Sequence, residues 1–445
     1  MKKIELLSPA GTLKNMRYAF AYGADAVYAG LPRYSLRVRN NDFLAENLGI
    51  GIAEAHRLGK KFFLATNVIP HNAKIKTFLK DMEPIVAMRP DALIMADPGL
   101  IMMVREAWPE MPVHLSVQAN TVNYATIKFW QRFGVERIIL SRELSLDEIA
   151  EIRQQCPDME LEVFVHGALC IAYSGRCLLS GYFNRRDPNQ GTCSNSCRWK
   201  YDTMPAQENA EGDYLPAGGL LSMHDLSSGG CGGERHPLAD NIYFLQEENR
   251  PGELMPVMED EHGTYIMNSK DLRAIEHVQR LVEIGVDSLK IEGRTKSHYY
   301  VARTAQTYRQ AIGDALAGRP FRPELLGVLE NLANRGYTDG FYQRHHTQEY
   351  QNYITGYSKS HQQQFCGEIR GYDSATGLAE IEVKNKFAVG DRVELILPEG
   401  NRDIAIERMQ DLHGQEMQEA PGAGYEVRIP IPAASAGYGL MARYF

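Results

Sequence analysis

The sequence lacks most of the features that would place it quickly. None of its 445 residues belongs to an apolar run approaching the roughly 20 residues of a membrane-spanning helix. The opening MKKIELLSPAG has too short an apolar stretch for the core of a secretory signal. The expectation is a cytoplasmic protein with no membrane contact. An excess of positive charge is also missing. Lys and Arg number 48 against 56 Asp and Glu, a formal net charge of −8, so any attraction for nucleic acid has to be local. No GxGxxG follows an apolar run, and neither HExxH nor GxSxG occurs. These gaps weigh against a dinucleotide fold, the common zinc-peptidase layout and the serine-hydrolase elbow. Heptads, low-complexity tracts and fixed-period repeats are absent as well.

Cysteine is scarce, yet unevenly spread. Of seven, Cys170, Cys177, Cys193 and Cys197 share one stretch, HGALCIAYSGRCLLSGYFNRRDPNQGTCSNSCRW (166–199). An odd number in a long chain kept under reducing conditions argues against a disulfide framework. The spacing C-x6-C-x15-C-x3-C has only one tight pair, where structural zinc sites usually show two. A radical-type C-x3-C-x2-C is excluded because Lys200 stands where its third cysteine would fall, and ferredoxin runs are missing. Residue chemistry leaves an iron–sulfur cluster, zinc, a redox pair and unliganded thiols open. Cys156, on a helical pattern, and Cys366, on a strand pattern, read as small core residues. Cys231 lies between glycines, and its role stays open.

A chain of this length, 44% apolar, should fold as more than one domain. Eight runs read as strands, at 4–9, 25–30, 61–68, 91–97, 113–120, 137–143, 161–167 and 287–293. Between them lie helical patterns such as LKNMRYAFAYG, KIKTFLKDMEPIVAM and GLIMMVREAW. This alternation points to an α/β fold, a TIM-like (β/α)8 barrel over 1–325. The cysteines begin a βα insertion at about 168–262 whose second part, 200–262, looks irregular. The pattern SKDLRAIEHVQRLVEIG after it reads as a helix, as does 297–317. Residues 326–362 read as a helical linker, and 363–445 as a small all-β barrel of short strands. An insertion after the seventh strand falls on the face where barrels build active sites.

The cysteine stretch closely resembles the signature of the peptidase U-32 family, once called collagenase-like peptidases. ELLSPAGTLKNMRYAFAYGADAVYAG, LSVQAN, ILSRELSLDEI, NSKDLRAIEHV and SLKIEGRTKSHYYVARTAQTYR extend the likeness over almost the whole chain. The likeness is greatest to members that act on tRNA. It implies a 4Fe-4S cluster and a prephenate-dependent conversion of wobble uridine to 5-hydroxyuridine, with the electron donor undefined. Short relatives can take a cluster ligand from a KDLC stretch, which here reads KDLR with Arg273. The resemblance therefore implies Cys170, Cys177, Cys193 and Cys197 as the ligand set.

Strand ends carry further polar groups, among them Asn67, Gln118, Asn120, Ser141, Arg142, Glu143, His166, Lys290, Glu292 and Arg294. Arg37, Arg39, Arg142 and Arg294, with Asn67 and Gln118, form the candidate pocket for a small dicarboxylate such as prephenate, because guanidinium pairs with carboxylate. His166 and Glu292 are the candidate proton-transfer groups. Arg185, Arg186, Arg198, Trp199 and Lys200 are the candidate contacts for the anticodon loop of a tRNA, which needs cations for phosphates and flat rings for bases. Lys384, Lys386 and Arg392 offer a second contact or an ordinary solvated hairpin. Two other readings stay open: a peptidase, and a non-catalytic iron–sulfur protein that binds RNA beside a catalytic partner.

Overall fold

The computed structural model describes residues 4–36, 42–169, 271–334, 336–343, 363–432 and 437–445, and the strand backbone at 201–208, 214–216, 242–247 and 254–257. The first seven apolar runs form β1 (Glu5–Pro9), β2 (Ala26–Gly30), β3 (Lys61–Ala65), β4 (Ala92–Met95), β5 (Val113–Leu115), β6 (Arg137–Ile139) and β7 (Glu160–Ala168). Three of them, β3, β5 and β6, end three to five residues earlier than the pattern suggests. Thr66–Val68 leave the sheet after β3, and beyond β5 a 3-10 turn at Val117–Ala119 is capped by the Ser116 hydroxyl.

The insertion after β7 contains β8 (Tyr201–Glu208), β9 (Tyr214–Pro216), β10 (Ile242–Glu247) and β11 (Leu254–Val257), an antiparallel sheet in the order β11-β10-β8-β9. The expectation of an irregular 200–262 segment is corrected accordingly. The next correction concerns SKDLRAIEHVQRLVEIG. Asp271–Arg273 forms β12, antiparallel to β7 with Asp271 opposite Ala168, and the α-helix is confined to Val278–Ile284. β7 overruns the barrel, and its unpaired backbone groups recruit that strand. β13 (Ser288–Ile291) then closes the ring by pairing in parallel with both β1 and β7. The result is a closed parallel eight-stranded barrel, with the strand order running from β1 through β7 to β13.

The helices are α1 (Leu13–Ala21), α2 (Ala45–Arg57), α3 (Asn72–Ile75), α4 (Phe78–Ala87), α5 (Pro98–Ala107), α6 (Tyr124–Arg132), α7 (Leu146–Gln155), α8 (Val278–Ile284), α9 (His298–Leu316) and α10 (Glu324–Glu330). Their starts follow sequence chemistry. Thr12, Asp97, Asn123 and Ser297 cap α1, α5, α6 and α9, and Ser145 with Glu148 forms a capping box on α7. In the expected helical linker, only Glu324–Glu330 is helical among the described residues. β14 (Tyr337–Thr338) pairs with β12, and the Tyr342 hydroxyl reaches the Phe164 carbonyl at 2.5 Å. Residues 344–362 lie outside the described residues.

The C-terminal domain has β15 (Gln363–Asp373), β16 (Leu378–Val383), β17 (Phe387–Ala388), β18 (Arg392–Ile396), β19 (Arg402–Ala405), β20 (Met409–Asp411), β21 (Glu416–Met417), β22 (Glu419–Ala420), β23 (Glu426–Pro430) and β24 (Leu440–Tyr444). Eight of these form one antiparallel sheet, a half-barrel whose order is β19-β18-β24-β15-β16-β23-β20-β21. Its inner face packs Cys366, Ile381, Val393, Leu395, Val427 and Met441. Cys156 is buried in the barrel core, so both described thiols are packing residues, as expected. The two domains are joined through α1 and α9. Arg303 reaches Glu394 with two bonds of 3.0 and 2.8 Å, and the Tyr22 hydroxyl lies 2.7 Å from the carbonyls of Ile396 and Tyr438. No helix among the described residues is long and apolar enough to cross a membrane.

Candidate active site at the barrel mouth

Barrel interiors are usually filled by layers of branched apolar side chains. Several inward positions here carry charge instead. At the lower end Arg137 contacts Glu5 at 2.5 Å, Glu160 at 2.7 Å and Glu162 at 3.1 Å, while Ser288 donates to Glu5. Burial works against the Arg137 charge, but Glu5 and Glu162 outweigh it and raise its pKa. Glu162 is fully enclosed and is shared, because its other oxygen accepts from Lys290 at 2.7 Å. Burial pulls the Lys290 pKa down, and Glu162 opposes that pull.

Above this ladder the strand ends form a rim. The Lys290 ammonium sits 4.3 Å from the centre of the Tyr28 ring and 5.4 Å from that of Phe164. The Arg142 guanidinium covers Phe164 at 3.7 Å, and its Nη2 is 3.8 Å from Glu292. The Tyr28 hydroxyl donates to the Ile291 carbonyl and stands 3.4 Å from the Glu292 carboxylate. Arg294 donates to Ser35 at 2.5 Å, 5.8 Å from the Tyr28 ring centre. That contact needs Gly30, where a Cβ would overlap both the Arg294 guanidinium and the Ser35 hydroxyl. Three enclosed cations and two carboxylates thus surround two aromatic faces, a setting that favours an anionic ligand with an apolar body.

The structure brings together some of the residues singled out in the sequence and separates others. Glu292, Arg142 and Arg294 share the arc just described. Asn67 and Gln118 share another, through Ser116: the Asn67 amide donates to its hydroxyl at 3.3 Å, and the Gln118 backbone N–H does so at 3.4 Å. The Gln118 side chain is buried with neither amide atom hydrogen-bonded. Such a group costs free energy unless a ligand or water completes it.

His166 does not join either arc. β7 carries an irregularity opposite Lys290 and Ile291, so Phe164 faces Lys290 while His166 packs among the rings of Tyr300, Tyr308 and Tyr337. Burial pushes its pKa down to about 3, opposed by Asp271. Its Nδ1 is 3.4 Å from the Tyr308 hydroxyl. Arg37, Arg39, Cys170, Cys177, Cys193, Cys197, Arg185, Arg186, Arg198, Trp199 and Lys200 lie outside the described residues.

Sequence reading missed the importance of Lys290, Glu162, Arg137, Tyr28 and Ser35. A signal existed, because LEVFV and the strand SLKI each place one charge inside an otherwise uncharged run. Among the described residues no three His, Cys, Asp or Glu side chains cluster as a metal site. The Cys366 thiol is pushed up to about 12 by burial, and Cys156 upwards too. The remaining cysteines fall in the insertion, the first of them two residues after the end of β7.

Comparison with known proteins adds to this geometry. The model of peptidase family U32 matches residues 11–352, and that of the peptidase family U32 C-terminal domain matches 361–443. The tRNA hydroxylation protein P of Escherichia coli K12 is 61% identical over 100% of this chain and 98% of its own length. The protein of that name from Haemophilus influenzae is 58% identical over 99% of this chain and 96% of its own. A Porphyromonas gingivalis protein named collagenase is 27% identical over 96% of this chain and 94% of its own. The chain belongs to peptidase family U32.

Proposed function

We propose that this U32 family member is a tRNA-modifying enzyme that hydroxylates wobble uridine to 5-hydroxyuridine in a prephenate-dependent reaction. The observation that carries the reading is identity of 61% and 58%, end to end, with two tRNA hydroxylation proteins. The rim of the barrel supports the small-ligand half of it. Arg142, Lys290 and Arg294 would pair with ligand carboxylates, and the faces of Tyr28 and Phe164 would hold an apolar ring between them. The Gln118 amide would complete its hydrogen bonds on the same ligand. Glu292 is the proton-transfer candidate that remains, held against Arg142 and the Tyr28 hydroxyl.

Cys170, Cys177, Cys193 and Cys197 would hold a 4Fe-4S cluster, which supplies electron-transfer or Lewis-acid chemistry when bound. The donor chemistry fits, since four thiols sit in an insertion rooted at the rim while both described thiols are enclosed elsewhere. Among the described residues, His166 faces tyrosines and no nucleophile, which lends no support to a hydrolase reading.

The test is anaerobic purification followed by nucleoside analysis. The protein should contain about four irons per chain. Changing any of the four insertion cysteines to Ala should remove them, while Cys156→Ala and Cys366→Ala should not. Cells deprived of the gene should lose 5-hydroxyuridine from tRNA and regain it with the unaltered gene but not with Arg142→Ala. Zinc in place of iron would overturn the cluster, and unchanged 5-hydroxyuridine after gene loss would overturn the activity.

A further inference from the structure

The two domains meet along a seam at which cations from three elements crowd one buried carboxylate. Glu368 of β15 is buried there, and three cations from three elements converge on it. Lys14 of α1 lies 2.6 Å from one carboxylate oxygen, and Lys384, just past β16, is 3.8 Å from the same atom. Arg370 of β15 is 3.0 Å from the other oxygen. The Tyr18 hydroxyl and His298 complete the shell at 2.9 and 3.4 Å. Burial would raise the Glu368 pKa, but the nearby His298 and hydrogen bonds from Lys14 and Tyr18 outweigh it and hold the group far below the usual carboxylate range. Its negative charge is thus stabilised, and it is hidden.

The cations are not hidden. Side-chain exposure is 38% for Lys14, 46% for Arg370 and 25% for Lys384, against 3% for Glu368. The one partly exposed carboxylate beside them, Glu382, is shared by Arg370 and Lys384. Three other half-barrel cations each meet one carboxylate: Lys386 with Glu419, Arg392 with Asp403 and Arg428 with Glu380. Those pairs cancel, and the seam does not. Of the three hairpin cations noted in the sequence, only Lys384 belongs to this surface.

The seam also leads to the barrel mouth. The Asn15 amide, next to Lys14, donates to the Lys296 carbonyl at 3.0 Å, and Lys296 follows Arg294 of the rim by two residues. At the outer edge the exposed ring of Tyr438 stands edge-on to Tyr18 at 5.3 Å. Exposed cations at a domain junction, tied through backbone to the barrel rim and set beside an exposed ring, match a phosphodiester chain carrying flat bases.

We propose that this seam, built by Lys14, Arg370 and Lys384 around Glu368, is the track along which the backbone of an RNA substrate lies when its target base enters the barrel mouth. The inference rests on the reading of the protein as a tRNA-modifying enzyme and assigns the half-barrel the task of orienting that RNA. Glu368 is a positioning residue that fixes the three cations.

Anisotropy titrations of the full chain with unmodified tRNA, over a range of salt, test it. The Lys14→Gln/Arg370→Gln/Lys384→Gln variant should bind at least about tenfold more weakly at 0.1 M salt. Its log Kd against log salt slope should fall by about 2, the loss of three phosphate contacts. Arg428→Gln, which removes a cancelled charge, should change neither. Arg370→Gln alone, at the most exposed of the three, should weaken binding about threefold and guards against misfolding of the triple variant. If the unaltered protein binds tRNA and the triple variant matches it in affinity and slope, the track is wrong while the enzyme reading stands. If the unaltered protein binds no tRNA, the enzyme reading fails and takes the track with it.

Discussion

His166 and Lys290 are enclosed bases on adjacent strands, and their neighbours set them to different uses. Rings surround His166, so burial keeps it neutral, with a pKa of about 3. The unfolded chain would protonate it near pH 6.5. Its stabilising contribution is therefore complete above that pH and is lost as pH falls from about 6.5 towards 3, by about 1.4 kcal/mol per unit. The difference in unfolding free energy between the native protein and His166→Gln should accordingly narrow by about 2 kcal/mol between pH 7 and pH 5 in urea titrations. Lys290 instead has Glu162 as its counter-ion and keeps two further donors on a ring-lined surface. Lys290→Met should weaken binding of a small dicarboxylate by about 2–5 kcal/mol in calorimetry, with the fold retained. In the sequence His166 reads as a proton-transfer group and Lys290 only as one polar strand end among several. A histidine at a strand end invites a functional role, and the irregularity in β7 that diverts it has no composition signature.

The elements were more legible than the residues. All eight barrel strands fall on the β-rich runs, seven of which end in a small or polar residue, because a strand buried on both faces has little freedom in composition. What escaped notice was short or non-local. The Asp271–Arg273 strand sits in a helical pattern, and only an overrunning β7 edge makes it extended. The half-barrel strands at Arg402–Ala405 and Glu419–Ala420 are too short to show alternation. Gly167 marks the point where β7 crosses the end of β13. Its φ of +101° and a carbonyl of Glu292 where a Cβ would lie leave no room for a side chain. Gly167→Ala should cost about 1–3 kcal/mol in chemical denaturation and should displace Glu292, lowering turnover beyond what the stability loss explains.

At the scale of the whole molecule, the barrel and half-barrel share apolar core as well as polar links. Ile396, Leu440 and Ala442 of the second domain pack into the barrel cluster. Arg303 is the largest of the fully buried side chains, and both of its outer nitrogens are spent on Glu394. Arg303→Met would strand a carboxylate that keeps only neutral partners in Gln363 and Asn401. The expected cost is about 3–5 kcal/mol, and calorimetry should show one unfolding transition becoming two. None of this was visible in the chain, since the partners lie some 91 positions apart and each reads alone as a surface charge.

The pairing of β7 with β12 also bears on how such a protein could have been assembled. Ala168 and Asp271 face each other across an antiparallel ladder, so their Cα atoms stand about 5 Å apart. A two-residue turn could span that gap, as in an ordinary hairpin. Everything between those positions is therefore a cassette: a segment that could have been acquired, exchanged or lengthened through a doorway one hairpin wide, while the barrel beneath kept its hydrogen bonds.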